Sequence, residues 1–292
     1  MMRVCIFILV FCIAGQLTAK AAQYGVAVTA APVLNTPDFK AVFGGVHGTD
    51  LKTDRCGQVR ELEFIALPGT VFTIRNKLHS PAGAVYEVET AEYTAPATMR
   101  LYIDNRFLRL EQTAGLKRRL ILPSQKAIVS ALKAAVGSSY VWGGNVPGGV
   151  PELSAWFFKG AREEAGDQFV LAGLDCSGLL YHATGGWTPR NTAQLLTYGH
   201  GVTIAGKSFG EMALLLQPLD LIVWNGHVVI VLDQRTAIES RLKCDKPGNG
   251  GVVITPLPQR LEEIMRTRHP ADIWPDGKKR DDLFVVRRWY AE

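Results

Sequence analysis

Apolar positions are patterned in two different ways on either side of residue 115. From residue 23 to about 115 they come in short runs, Val26-Ala27-Val28, Thr70-Val71-Phe72-Thr73-Ile74, Val85-Tyr86-Glu87-Val88 and Leu101-Tyr102-Ile103, separated by clusters of Gly, Pro, Asn and Asp. Short extended runs cut by turn formers predict an all-β region, a small barrel or sandwich. No helix-length amphipathic stretch and no clear internal repeat interrupts it. Between Ala114 and Ser124 the pattern breaks at Gly115, the cluster Lys117-Arg118-Arg119 and Pro123. The basic cluster reads as solvated loop surface. Beyond it the period changes: Ser124 reads as the N-cap of a helix with Ile128, Ala131, Leu132 and Ala135 on one face, stopped at Gly137.

The second region continues with Ser139-Tyr140-Val141-Trp142-Gly143-Gly144 and then an irregular stretch from Asn145 to Gly173, containing Trp156-Phe157-Phe158 among Gly and Pro. Long irregular segments of this kind are usually functional or mobile. Leu174-Asp175-Cys176-Ser177-Gly178-Leu179-Leu180-Tyr181 then reads as the start of an apolar helix, and Trp187 to Gln194 as another helical segment. Leu219 to Trp224 and His227 to Leu232 are strand-like runs joined by Asn225-Gly226, the strongest short hairpin signal. Ala237 to Ser240 returns as a third short strand, and Leu283 to Trp289 predicts a last one. Helices first and strands afterwards is an α+β order.

The first residues add a destination. Arg3, the apolar run Val4 to Ala14 and Ala19-Lys20-Ala21 have the form of a secretory signal peptide over residues 1–22. The apolar run is short of the roughly 20 residues a membrane span needs, so cleavage and release are expected, with no stable membrane anchor. Phe11 before Cys12 argues against lipid attachment. The expected location is the periplasm or cell envelope. At 292 residues, 47% hydrophobic and 20% charged, the chain has room for two domains. A formal charge of +5 with no long Lys/Arg block excludes a nucleic-acid arm. Three cysteines follow residue 22: Cys56, Cys176 and Cys244. An odd count in an exported chain leaves at least one thiol unpaired or paired between chains, and a Cys56–Cys244 bridge would make Cys176 the free one.

Cys176 stands where a thiolate is favoured. A helix N-terminus presents unpaired N–H groups and partial positive charge. A nucleophilic thiol also needs a base, and the base needs a polar group to fix its tautomer. His182 lies six residues along the same helix, turned away from the thiol. His200 sits in a loop between glycines, while His47 and His79 belong to the β region. His227 starts a strand directly after Asn225-Gly226, and a turn near Asp233-Gln234 would bring Glu239 back roughly opposite it. Each residue also has a packing reading: a buried structural cysteine, a core histidine, a solvated glutamate, core aromatics at Tyr140 and Trp142.

Taken in order, these pieces resemble the NlpC-type cysteine peptidases of bacterial cell walls, a family with a papain-like α+β fold. Its pattern of Tyr-x-Trp-Gly-Gly, Asp-Cys-Ser-Gly, Pro-Arg with a downstream Gln, a Gly-Asp-Leu strand and a His-Val strand is matched by Tyr140 to Gly144, Asp175 to Gly178, Pro189-Arg190 with Gln194, Leu219-Asp220-Leu221 and His227-Val228. The resemblance implies Cys176 as nucleophile, His227 as base, Glu239 in the third position and Tyr140 in the oxyanion and substrate site with the Cys176 N–H. It implies Asp175 and Ser177 as holders of the substrate's free amino end, with Trp142 and Arg190 also on the substrate side. The family's third residue is usually His, Asn or Gln, and here it is a carboxylate. The Asn145 to Gly173 stretch is longer than the family's link, and residues beyond 240 follow none of its motifs. The region from 23 to 115 is similar in strand pattern to bacterial SH3-like modules, one or two of them. The expected organisation is therefore a signal peptide over 1–22, an all-β SH3-like barrel region over 23–115, and a papain-like catalytic domain over 120–292.

The implied activity is hydrolysis of an amide in peptidoglycan stem peptides, by family likeness the bond between D-isoglutamate and meso-diaminopimelate, with no cofactor and no metal. Two alternatives stand beside it: a wall-binding protein without catalysis, and a Cys/His amidase or acyltransferase acting on another wall or lipid bond. One further motif competes. Gly201 to Ser208 formally matches a phosphate-binding loop. Such a loop must follow a buried strand and offer a nest of free N–H groups, whereas Gln194 to Tyr198 reads as helix and Val202-Thr203-Ile204 as extended.

Overall fold

The computed structural model describes residues 23–80, 83–158, 166–277 and 280–290. The expected signal peptide, residues 1–22, lies outside them. In the first region seven strands are hydrogen-bonded into one sheet: β1 (Gln23–Ala27), β2 (Ala31–Leu34), β3 (Leu62–Ala66), β4 (Val71–Ser80), β5 (Gly83–Glu89), β6 (Leu101–Asp104) and β7 (Leu108–Glu111). Their order is β3-β2-β6-β5-β4-β1-β7. Strands dominate as the turn-broken pattern predicts, with a short helix, Phe39–Val42, and a 3-10 turn, Asn105–Phe107, among them. The expected SH3-like closed barrel does not form: among the described residues the edge strands β3 and β7 do not pair with each other. The β3 edge is occupied instead, because the Asn145 side chain donates to Ile65 O at 2.8 Å and accepts from Ile65 N–H at 3.0 Å. An edge must be paired or covered, and this one is covered by the region that follows.

The second region opens with α1 (Gln125–Ala134), capped as expected by Ser124, whose hydroxyl accepts from Ala127 N–H. Its α2 (Pro151–Phe157) joins the first region's core, where Val150, Leu153, Phe157 and Phe158 pack with Phe39 and Phe43. The Phe157 ring lies 6.4 Å from Phe39 and 5.6 Å from Phe43. Then come α3 (Cys176–Ala183), α4 (Thr192–Leu195) and α5 (Phe209–Leu215), followed by β8 (Leu221–Trp224), β9 (His227–Val231), β10 (Thr236–Ser240), β11 (Val252–Pro256), α6 (Leu257–Met265) and β12 (Leu283–Arg288).

These strands form an antiparallel sheet in the order β12-β8-β9-β10-β11. Alternate residues face opposite layers. Val223, Val228, Ile230 and Ile238 meet α1 and α3 through Leu132, Leu179 and Leu180. Ile222, Val229, Val231 and Ala237 meet α5 and α6 through Met212, Leu257, Leu261 and Ile264. Burial on both faces is why β8 and β9 read as continuous apolar runs.

Polar ties fasten the two regions. Glu92 Oε2 accepts from Thr70 Oγ1, Arg118 Nη2 and Tyr181 OH at 3.2, 2.7 and 3.0 Å. Arg118 is therefore a half-buried interface residue and not solvated loop, because a carboxylate and a carbonyl, Gly185 O at 2.6 Å, take its guanidinium. Cys56 and Cys244 form a disulfide across 188 residues, and Cys176 is the free cysteine among the described residues. Replacing both bridging cysteines with serine is expected to lower stability by about 2–4 kcal/mol, read as a lower urea midpoint with a steeper slope, because the unbridged denatured chain exposes more surface.

Candidate active site

Cys176 is the first residue of α3, and Asp175 is its N-cap, with extended backbone and Oδ1 accepting from Gly178 N–H at 2.6 Å. The helix start presses against the Gly144 turn: Asp175 N–H donates to Gly144 O at 2.9 Å, and a Cβ on Gly178 would come within 2.0 Å of that same oxygen. Glycine is required there for the close approach. The thiol ends up 5% exposed, with Sγ 3.6 Å from Thr192 Oγ1 and 3.8 Å from Gly226 O. It is thus caught between α3, α4 and the hairpin turn.

The hairpin carries His227. Trp224 and His227 are direct partners across the two-residue Asn225-Gly226 turn, where Gly226 has φ 86°. Asn225 Nδ2 donates to Asp281 Oδ1 at 2.8 Å, and the Trp224 ring lies 4.9 Å from the imidazole, so both turn and ring are held. His227 Nε2 is 2.7 Å from Glu239 Oε2. Nδ1 is left as the nitrogen available to Cys176. Burial alone would lower the imidazole's pKa, but hydrogen bonds to Cys176 and Glu239 and the negative charge of both outweigh it and push it up to about 9. A protonated His227 beside the thiol is the form these contacts favour.

Glu239 is fully buried. Burial would raise its carboxyl pKa, yet the bonds from His227 and Arg260 and their charges hold it below the usual carboxylate value. Arg260, on α6, donates from Nε to Oε1 at 2.7 Å and from Nη2 to Oε2 at 2.9 Å. Arg260 is a site residue that motif reasoning misses. Leu257, Leu261 and Ile264 at helical spacing mark its helix, although nothing local says which sheet residue it will meet.

Tyr140 lies close enough to Cys176 and Asp175 to feel their charge. Its N–H donates to Gly248 O at 2.7 Å, its carbonyl accepts from Gln58 Nε2 at 3.4 Å, and its ring is buried. Burial and then the charges of Cys176 and Asp175 push its phenol above the ordinary value, so it is an O–H donor at any working pH. Trp142 is 38% exposed, with its N–H on Gln58 Oε1 at 2.8 Å and the Arg60 guanidinium 4.4 Å over its ring. Both Gln58 and Arg60 come from the β region. That region therefore walls the site next to Tyr140.

Asp175, Ser177 and Arg190 are brought together under the helix start. Arg190 is 2% exposed and donates from Nη2 to Asp175 Oδ2 at 2.8 Å, from Nη1 to Asp175 Oδ1 and Ser177 Oγ at 3.1 Å each, and from Nε to Asn145 Oδ1 at 3.0 Å. The three spend their hydrogen bonds mostly on one another. His47, His79 and His200 are exposed and away from the thiol, and His182 is half-buried on α3, its pKa lowered by burial. Among the described residues no group of three or more His, Cys, Asp or Glu is placed to hold a metal ion. In the phosphate-loop lookalike, the N–H groups of Ile204 and Ala205 both bind Asp272 Oδ1, at 2.6 and 2.8 Å. Amides already serving a carboxylate of the chain do not form a free anion nest.

No family model matches the chain, and no curated protein sequence matches it. Solved structures that it matches include P60 and NlpC/P60 proteins. Among them is the P60 domain of an antigen of M. avium subspecies paratuberculosis, at 19% identity and TM-score 0.31 over 56% of this chain and 93% of that one. A NlpC/P60 family protein from Bacillus cereus matches at 16% and 0.32 over 92% of this chain and 64% of that one. A NlpC/P60 endopeptidase from Photobacterium damselae subsp. piscicida matches at 13% and 0.37 over 80% and 66%. At these identities and scores, the roles argued for individual residues rest on the geometry of this chain alone.

Proposed function

We propose that this chain is an exported cysteine peptidase that hydrolyses an amide bond in peptidoglycan stem peptides, with the D-isoglutamyl–meso-diaminopimelate bond as its target. The observation that carries the reading is the free Cys176 at the first position of its helix, held beside His227, whose far nitrogen is bound by buried Glu239. Thiol, imidazole and carboxylate in that sequence are the parts of covalent amide hydrolysis.

The Cys176 thiolate adds to the substrate carbonyl, and the Cys176 N–H and the Tyr140 O–H stabilise the resulting oxyanion. Imidazolium His227 protonates the leaving amine as the C–N bond breaks, which leaves a thioester. Neutral His227 then takes a proton from water, the hydroxide displaces sulfur, and acid and thiolate–imidazolium are restored. Arg60, paired with Asp54 at 2.6 Å and stacked on Trp142, bounds the site with a flat apolar ring and a partly exposed guanidinium. Asp175, Ser177 and Arg190 form the buried floor under the thiol and set the substrate's amino end on that side.

The test is digestion of purified sacculi by the folded, disulfide-bonded protein. Soluble fragments with masses of cleaved stem peptides are expected, abolished when Cys176 is first alkylated with iodoacetamide. On a soluble stem peptide, kcat/KM is expected to fall as pH rises through about 9, where His227 loses the proton it must give. Intact stem peptides, or fragments that persist after alkylation, would overturn the assignment.

A further inference from the structure

Glu239 is an anion without exposed surface, set against an imidazole that must both give and take a proton. If His227 were its sole partner, Coulomb attraction in a low-dielectric pocket would hold the imidazolium and oppose release of the proton to a leaving amine. A carboxylate can orient an imidazolium by itself, and a countercharge beside it moderates how firmly it holds the proton.

Arg260 supplies that countercharge in the geometry most selective for a carboxylate. Its Nε and Nη2 reach the two Glu239 oxygens at 2.7 and 2.9 Å as parallel bonds, and the side chain is 13% exposed. The fork fixes the carboxylate plane, so Oε2 faces His227 Nε2 at 2.7 Å. Arg260 is itself held by Glu263 Oε2 at 3.2 Å and lies 5.8 Å over the Trp224 ring that stacks on His227. We propose that Arg260 is a positioning residue for the thiol–imidazole pair: it orients Glu239 against His227 and offsets the carboxylate's charge, so that His227 can exchange its proton. The proposal rests on the reading of Cys176 and His227 as a catalytic pair.

The charged groups around this relay are few. His227 faces Cys176 from α3 and Glu239 from β10. Glu239 faces Arg260 from α6 and, 3.6 Å from Oε1, Arg241 Nε, which has no hydrogen-bond partner of its own. Glu263 backs Arg260, while Arg268 covers Trp224 at 4.7 Å, near Asp281. Of these, Arg260 alone makes a bidentate bond to the carboxylate.

The test follows the His227 ring by NMR across pH, a readout that needs no turnover, together with kcat/KM profiles on a stem peptide. Arg260→Met is expected to raise the His227 midpoint and Glu239→Gln to lower it, each by about one pH unit or more. The double variant Glu239→Gln/Arg260→Met, which removes both charges, is expected to titrate above Glu239→Gln and nearer the wild type than either single variant. Arg260→Lys keeps the charge without the fork, so it should hold the midpoint while kcat falls. In each active variant the alkaline limb of kcat/KM should follow the NMR midpoint. An unshifted midpoint in Arg260→Met overturns the proposal. If that variant does not fold, a double variant titrating no higher than Glu239→Gln does the same. These midpoint shifts in a protein that leaves stem peptides intact would sink the substrate assignment and still support the role of Arg260.

Discussion

Replacing Cys176 with alanine is expected to lower kcat for amide hydrolysis by about 10⁴-fold or more, with the fold intact. The two halves of this prediction come from different features. The thiol is 5% exposed and, besides His227, meets Thr192 and Gly226 at 3.6 and 3.8 Å, so removing one sulfur leaves a small void with His227 still held by Glu239. The loss of rate is far larger because no other group can form the thioester. Tyr140 and the backbone N–H at position 176 would still polarise a bound carbonyl, which leaves a residual rate above that in water. His227 should also respond. Without the sulfur it loses one of the bonds that favour its protonated form, so its midpoint should drop below that of the wild type. Retention of more than about 1% of the wild-type rate by a well-folded alanine variant would mean that the bond is cleaved by another group.

What could be read from the chain, and what could not, divides by the range of the interactions. The hairpin was legible because Asn225-Gly226 is local turn chemistry, and it delivers His227 to a strand start. The start of α3 was legible because an N-cap carboxylate directly precedes an apolar run. Glu239 follows from the return of β10, although the register pairs Ile230 with Ile238 and so places Glu239 diagonally from His227. Longer contacts leave no such mark. Arg260 meets Glu239 because α6 packs on the opposite face of the sheet, and Arg118 is half-buried because Glu92 and Tyr181 converge on it. Closure of the β region failed as an expectation because its free edge is satisfied by Asn145 from the next region. That fact resides in packing and has no pattern of its own. The long stretch after Asn145 is similar: it reads as irregular with room for a short helix, and nothing local shows that its aromatics join Phe39 and Phe43.

Asp175→Ala is expected to be the most destabilising single change near the site, by about 3–5 kcal/mol. Two losses combine. The cap bond to Gly178 N–H disappears, worth about 1 kcal/mol. The larger loss is that Arg190, at 2% exposure, keeps its charge with no carboxylate beside it. Ser177 Oγ, Asn145 Oδ1 and Gly144 O remain as acceptors, at 3.1, 3.0 and 3.2 Å, but none carries a countercharge. Against a typical total of roughly 5–15 kcal/mol, the loss should appear as a large drop in urea midpoint. Asp175→Asn separates the two causes, because it keeps an acceptor for Gly178 N–H and strands the guanidinium all the same. It should lose most of what alanine loses. Asp175→Ala/Arg190→Met removes both charges and should be more stable than Asp175→Ala alone, since an apolar pair avoids the uncompensated charge. Asn matching wild type would make hydrogen bonding, and not charge, the support of the helix start. The double variant unfolding as easily as Asp175→Ala would remove Arg190 from the account. Because Cys176 directly follows the cap, activity in Asp175→Asn should fall as well, through a thiol held less firmly against His227.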